Sequence, residues 1–220
     1  RYTEARMSKI AMELLRDINK NTVDINNYPK LEEFELSDNN YQKELQVCYV
    51  GGISEVRGIN EMVTAIDLAD TNVKLVIAGN FVGNNLEARV KALNGWNKVD
   101  FLGYLNREGV KKTILTSVGG LVVLHPTNSY LDSLPVKMFE YMAAGVPVIA
   151  SNFPLWKTIV EETNSGICVN PLDAKEIAKA IDFLINNSEV AERMGNNGKK
   201  LVNEKFNWRV EEEKLFKLYT

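Results

Sequence analysis

From residue 45 to residue 169 the apolar positions of the chain gather into six short runs, and between the runs they recur every three or four residues. Runs this brief, closed by glycine, proline or a polar cluster, read as buried strands. The intervening spacing is that of amphipathic helices. The pattern predicts strands at 45–50, 73–78, 99–102, 121–124, 146–150 and 166–169. A helix with Ile59, Met62, Val63 and Ile66 on one face follows the first strand, and a helical stretch over about 84–93 follows the second. Asn106 caps a helix to about Leu115, Pro135 and Gly145 bracket another, and Pro154 opens a short one. Asp173 and Glu176 have the spacing of a capping box for a helix to about Ile185. Ser188 opens a further helix, and 208–219 is the last. Such alternation makes an α/β fold: a doubly wound six-stranded parallel sheet, Rossmann-like, with flanking N- and C-terminal helices and right-handed crossovers.

Before residue 41 the pattern differs. Met7, Ile10, Ala11, Leu14, Leu15 and Ile18 share one face of a helix that Thr3 can cap, 22–25 reads as a short strand, and 26–40 reads as a linker by its Asn, Pro and acidic content. The expected division is 1–40 for a residual helix and linker, 41–207 for the sheet domain and 208–220 for a closing helix. The chain opens at Arg1, and it is expected to be part of a longer protein whose preceding domain covers the opening helix.

Composition narrows the functional classes. With 45% hydrophobic and 25% charged residues and no low-complexity tract, the chain is an ordinary globular one with a sizeable core. A net charge of −3 lacks the basic excess of nucleic-acid binders. No apolar run approaches the roughly 20 residues that span a bilayer. One histidine and two scattered cysteines make no soft-metal cluster, and Cys48 and Cys168, each in a strand run, are expected to be buried free thiols of a reducing compartment.

In an open doubly wound sheet, ligands bind beyond the carboxyl ends of the strands near the switch in strand order. After the first strand, YVGGISEVRGI supplies Gly51 and Gly52, which let backbone approach a ligand, and Arg57 just before a helix. It is neither a P-loop nor a GxGxxG, and a tight turn with a surface arginine explains it equally well. After the third strand, Gly103, Tyr104 and Leu105 lie where backbone groups can pair with a flat heterocycle, although taken alone the stretch reads first as an ordinary turn before a capped helix. After the fourth, HPTNSYLDSLPVKMFE holds His125, which has no nucleophile elbow to serve and is expected to be a strand-end residue. On the next helix Val136, Phe139, Met142 and Ala143 make the core stripe, leaving Lys137, Glu140, Tyr141 and Ala144 opposite. The amides of Ser133 and Leu134 lie near that helix's N-terminus, open to an anion. Lys137 in the first turn opposes the helix dipole, a penalty that a bound anion reverses. A surface pair between Lys137 and Glu140 is the competing reading, worth only about 0.2–0.5 kcal/mol.

The block LPVKMFEYMAAGVPVIASNFP, with an acidic residue eight positions before Glu140, resembles the signature of retaining, nucleotide-sugar-dependent glycosyltransferases of the GT-B fold, group 1 or family 4 type. YVGGISEVRGI, VDFLGYLNREGV and FNWRVEEEKLFKLY are similar to further blocks of that family, and NNYP to its interdomain connection. The resemblance implies the C-terminal, donor-binding half of a two-domain enzyme, residues 1 to about 21 being the last helix of the acceptor-binding half. It implies that Glu140 accepts from the ribose hydroxyls, Asp132 lies near the transferred sugar, and Arg57 and Lys137 meet the donor diphosphate. Gly51, Gly52, Ser133 and Leu134 would complete that site, with Gly103, Tyr104 and Leu105 bordering the base. Two departures stand out: Asp132 where glutamate is common, and Gly52 where the family often has arginine.

Breaking an anomeric C–O bond develops positive charge on the sugar and negative charge on the leaving diphosphate, which fixed cations and helix N-termini stabilise. The resemblance makes Asp132, Arg57 and Lys137 the expected catalytic residues and implies no cofactor and no metal, the co-substrate being a UDP- or GDP-sugar. The acceptor is expected to be a saccharide or lipid-linked intermediate reached through the preceding domain, in a bacterial cytoplasmic protein of polysaccharide biosynthesis, associated peripherally, if at all, with the inner membrane. A sugar-nucleotide epimerase, for which only Asp132 and His125 offer acid or base groups, and a non-catalytic nucleotide-binding module are the alternatives.

Overall fold

A computed structural model describes residues 15–35 and 41–219. Strands β1 (Gln46–Val50), β2 (Lys74–Ala78), β3 (Val99–Gly103), β4 (Gly119–Val122), β5 (Val148–Ser151) and β6 (Gly166–Val169) form one sheet in the order β3-β2-β1-β4-β5-β6, every neighbouring pair parallel. The order reverses between β1 and β4, so the crevice of a doubly wound sheet opens at their carboxyl ends.

In every strand but the edge strand β3, alternate residues serve two apolar layers. Val47, Tyr49, Leu75, Ile77 and Leu121 pack with helix α1 (Ile59–Leu68) and, further along the chain, with Ile177, Ile181 and Leu184. Cys48, Val50, Val76, Val122 and Val148 pack on the other side. There they meet Ile114 of the helix Arg107–Thr116 and Trp156 of Pro154–Val160. In chain order the remaining helices of six or more residues are α2 (Leu86–Lys91), α3 (Arg107–Thr116), α4 (Val136–Ala143), α5 (Pro154–Val160), α6 (Ala174–Asn186), α7 (Ser188–Glu204) and α8 (Trp208–Tyr219), and a four-residue turn, Asn128–Leu131, precedes α4. The Asn106 side chain accepts from the Gly109 amide at 2.9 Å and caps α3 as predicted. Asp173 caps α6 through the Lys175 and Glu176 amides, but the reciprocal half of the box is diverted: Glu176 Oε2 accepts from the Asn170 amide.

Two local expectations are corrected. Strand β4 begins two residues earlier than the apolar run, because Gly119 and Gly120 pair with Val47 and Cys48 instead of forming a turn. A side chain at Gly120 would stand 2.3 Å from Cδ2 of Tyr141, whose ring lies flat on the strand. Residues 22–25 form no strand; the segment docks instead as irregular chain. Its Asn26 amide donates to the buried Glu211 carboxylate of α8, and Tyr28 stacks edge-on against Phe139 and Phe206. A single helical turn, Glu32–Glu35, follows. The opening helix expected from Met7 to Ile18 falls mostly outside the described residues.

No helix among the described residues is long and apolar enough to cross a membrane. Both cysteines are free. Burial pushes the Cys48 thiol up to about 11 and Cys168 to about 12.

Replacing Gly120 with alanine should cost about 1–3 kcal/mol in urea unfolding, since the Tyr141 ring must be displaced from a filled layer. Because the Cys48 thiolate forms only well above neutrality, alkylation of Cys48 at pH 8 should wait on unfolding, as mass mapping of labelled native and denatured chain will read.

Candidate functional site

At the end of β1 the chain must turn within a crowded space. The Gly51 amide donates to the Ala78 carbonyl at 2.9 Å, and its own carbonyl sits where a Cβ of Gly79 would lie, 1.9 Å away. With φ at +149° and that carbonyl in place, only glycine fits at 79. The Gly79 amide in turn donates to the Gly103 carbonyl at 2.8 Å, which ties the carboxyl ends of β1, β2 and β3 into one rim. Beyond Gly103 the Tyr104 side chain is 77% exposed, at the mouth of that rim.

Gly51 leaves its side-chain space to Lys137 of α4: an added Cβ would lie 3.2 Å from the ammonium nitrogen. Lys137 is only 6% exposed. Its Nζ lies 3.3 Å from the Tyr49 hydroxyl and 4.6 Å from the centroid of the Tyr49 ring, and no carboxylate among the described residues pairs with it. The Tyr49 hydroxyl donates to the Gly52 carbonyl at 2.6 Å, and Arg57 Nη1 donates to the same carbonyl at 3.1 Å. Arg57 closes the short 3-10 turn Glu55–Arg57, which is moored to β4's extension by the His125 amide donating to Val56 O. The structure therefore gathers Gly51, Gly52, Arg57 and Lys137 at the switch point.

Helix α4 differs from its sequence reading. Lys137 and Tyr141 are buried, not opposite a core face: α7 covers the helix so closely that Gly198 lies against Met142, while Tyr141 packs on Gly120. The Tyr141 hydroxyl accepts from the Val50 amide at 3.1 Å, and burial together with the neighbouring Cys48 raises its pKa well above the ordinary phenol value. At the helix N-terminus, Pro135 is the cap residue. The Ser133 amide is spent on Tyr130 O at 3.1 Å, which corrects its assignment as an open donor. The amides of Leu134, Val136 and Lys137 have no acceptor among the described residues, so the open N-terminus runs from Leu134 to Lys137. The Trp156 indole pins the preceding loop by donating to Ser133 O at 2.7 Å. Asp132, in that loop, is exposed.

Glu140 is the other departure. Its Oε1 accepts from Arg107 Nη1 at 2.6 Å, with the Glu140 side chain 12% exposed. Arg107 also bridges to Glu33 of the 32–35 turn, its Nε lying 2.6 Å from Oε2, and covers the Phe34 ring. Burial pulls the Arg107 guanidinium down, but the Glu140 and Glu33 carboxylates more than offset it and leave its pKa raised. His125 faces Glu61 of α1, Nε2 to Oε2 3.0 Å, without the alignment of a hydrogen bond, so the ring is not satisfied in the way its strand-end position implied. Among the described residues no group of three or more His, Cys, Asp or Glu could hold a metal ion.

Two cations and an open helix N-terminus converge beyond β1 and β4, with a carboxylate one turn further along α4. Residues 32–201 match the family model of the glycosyl transferases group 1. The chain belongs to that family. An uncharacterized glycosyltransferase of Methanocaldococcus jannaschii is 32% identical over 168 residues, covering 75% of this chain and 42% of that protein. The capsular polysaccharide biosynthesis glycosyltransferase CapM of Staphylococcus aureus is 28% identical and covers 99% of this chain and 60% of its own length. The chain thus spans about half the length of the curated relatives it matches. The crystal structure of Anabaena HepE in complex with UDP superposes with a TM-score of 0.76 at 15% identity, over 89% of this chain and 56% of that one, which establishes the shared fold. A local match is of another kind: 29 residues are 83% identical to a DNA gyrase polypeptide of Streptococcus pneumoniae. Residues 202–220 are too few to hold it, so outside the glycosyltransferase match it can lie only within 1–31.

Tyr49 and Arg107 are the site residues that the sequence pattern does not single out. Tyr49 sits inside an apolar run and looks like core. Arg107 looks like a solvated first-turn residue, and its partners lie 74 and 33 positions away. Arg107→Ala should therefore loosen the 32–35 turn. Hydrogen exchange at the Glu33 and Phe34 amides is expected to quicken several-fold while global stability falls by only about 1 kcal/mol, as fits a half-exposed pair.

Proposed function

We propose that this chain is the donor-binding half of a glycosyltransferase that uses a nucleoside-diphosphate sugar, a UDP- or GDP-sugar, and transfers its glycosyl group with retention to a saccharide or lipid-linked acceptor held by a preceding domain. The observation that carries the reading is the Lys137 ammonium. It is buried, has one hydrogen-bond acceptor for its three donors, lacks a carboxylate partner among the described residues and lies beside a glycine turn. A buried cation left so incompletely paired is costly, and an anion at the turn removes the cost. The open amides of Leu134, Val136 and Lys137 add the positive end of a helix dipole at the same place.

In this reading Arg57 and Lys137 stabilise the charge that grows on the leaving diphosphate, and Glu140 receives the ribose hydroxyls through the oxygen that Arg107 does not hold. Asp132 contacts the transferred sugar. Gly103, Tyr104 and Leu105 border the base. The charge compensation comes from the chain's own cations, and the proposal invokes no metal. The UDP named with HepE and the polysaccharide role named for CapM support the donor class and the acceptor class respectively. The epimerase alternative receives no support from His125, which is turned toward Glu61.

A thermal-shift panel of UDP, GDP and ADP should give stabilisation by one base above the others. Calorimetric titration of that nucleotide into Lys137→Ala or Arg57→Ala should show affinity lowered about tenfold or more. Unchanged affinity in both variants would sink the diphosphate site.

A further inference from the structure

Tyr49 is fully buried on β1, in the layer facing α1, whereas Lys137 comes from α4 in the opposite layer. The two meet beyond the last residue of the strand. The phenol donates to the Gly52 carbonyl and accepts from the Lys137 ammonium, and that same carbonyl also accepts from Arg57. One hydroxyl thus touches the turn and one cation directly, and the second cation through a single carbonyl. Phenylalanine would fill the same volume and offer the same ring face, so packing alone gives no reason for the oxygen.

We infer that Tyr49 is a positioning residue of the diphosphate cradle: its hydroxyl fixes the Gly51–Gly52 turn and the Lys137 ammonium in one geometry before the donor arrives. The inference rests on the reading of this cradle as a diphosphate site. Lysine carries a flexible four-carbon stem and rotatable donors, so a held ammonium binds an anion better than one that must be ordered on binding. Without the hydroxyl, Lys137 loses its hydrogen-bond acceptor and keeps only the ring face, and the Gly52 carbonyl is left to Arg57.

The test is calorimetry on the 220-residue chain and its variants Tyr49→Phe, Lys137→Ala and the double variant. Each is titrated with whichever of UDP, GDP and ADP the unmodified chain binds most tightly, and with the corresponding nucleoside. Tyr49→Phe should weaken the diphosphate about tenfold and leave the nucleoside within about twofold. In the Lys137→Ala background the same change should cost less than about twofold, since the partner it positions is gone. Equal losses for nucleoside and diphosphate, or equal losses in both backgrounds, would show a merely structural hydroxyl and overturn the inference. So would failure of Tyr49→Phe to fold. If Lys137→Ala weakens the diphosphate and Tyr49→Phe does not, the inference falls and the diphosphate site stands. If the unmodified chain binds none of the three nucleotides, both fall together.

Discussion

A lysine ammonium held away from water at the end of the central strand is the constraint on which the rest of this site depends. Desolvating an ammonium costs several kcal/mol unless other groups replace its hydration, and here one hydroxyl and one aromatic face replace only part of it. The sheet accommodates the charge by withholding side chains. Gly51 has none where Nζ sits, and Gly79 has none where the Gly51 carbonyl must turn away. Tyr141, one turn beyond Lys137 on the same helix, lies against Gly120 and binds the Val50 amide, so α4 is seated on β1 and β4 at two points. The position of the cation follows from a helix docked without slack on the two strands that flank the switch point.

Much of this frame was legible from residue order alone. Six apolar runs gave six strands because β1, β2, β4 and β5 are buried on both faces and the edge strands β3 and β6 are partly covered, and the Asn106 and Asp173 caps are marked by short polar side chains before helical periods. The family block on α4 pointed to Lys137 and Glu140, which the structure places at and beside the crevice. What periodicity could not show was enclosure. A stripe rule assumes one wet side, but α4 has the sheet on one flank and α7 on the other, so Lys137 and Tyr141 are buried despite lying off the expected core stripe. The start of β4 was missed for a related reason. Gly119 and Gly120 look like a break until the ring that fills the space over Gly120 is known. Tyr49 was hidden because a hydroxyl at the tip of a core aromatic leaves no trace in an apolar pattern, and Arg107 because its two carboxylates are distant in sequence.

The segment before the sheet bears on α4 from outside. Tyr28 packs on Phe139, the Asn26 amide reaches Glu211 of α8, and the Trp208 amide donates to Pro29 O, so this stretch is fastened to both α4 and α8. Glu33 then extends the attachment through Arg107 to Glu140, the residue next to Phe139. Two consecutive residues of α4 are therefore touched by the connecting segment, one through an aromatic contact and one through a shared guanidinium. The Arg107–Glu33 end of the ionic link is half-exposed and cheap to rearrange, whereas the Glu140 side chain is only 12% exposed and the aromatic contact is buried. A displacement of the segment would thus be felt first as a change in which carboxylate Arg107 holds, with the helix itself staying seated. That division leaves the Lys137 position insulated, because its contacts are to β1, and makes the Glu140 carboxylate the adjustable member of the pair.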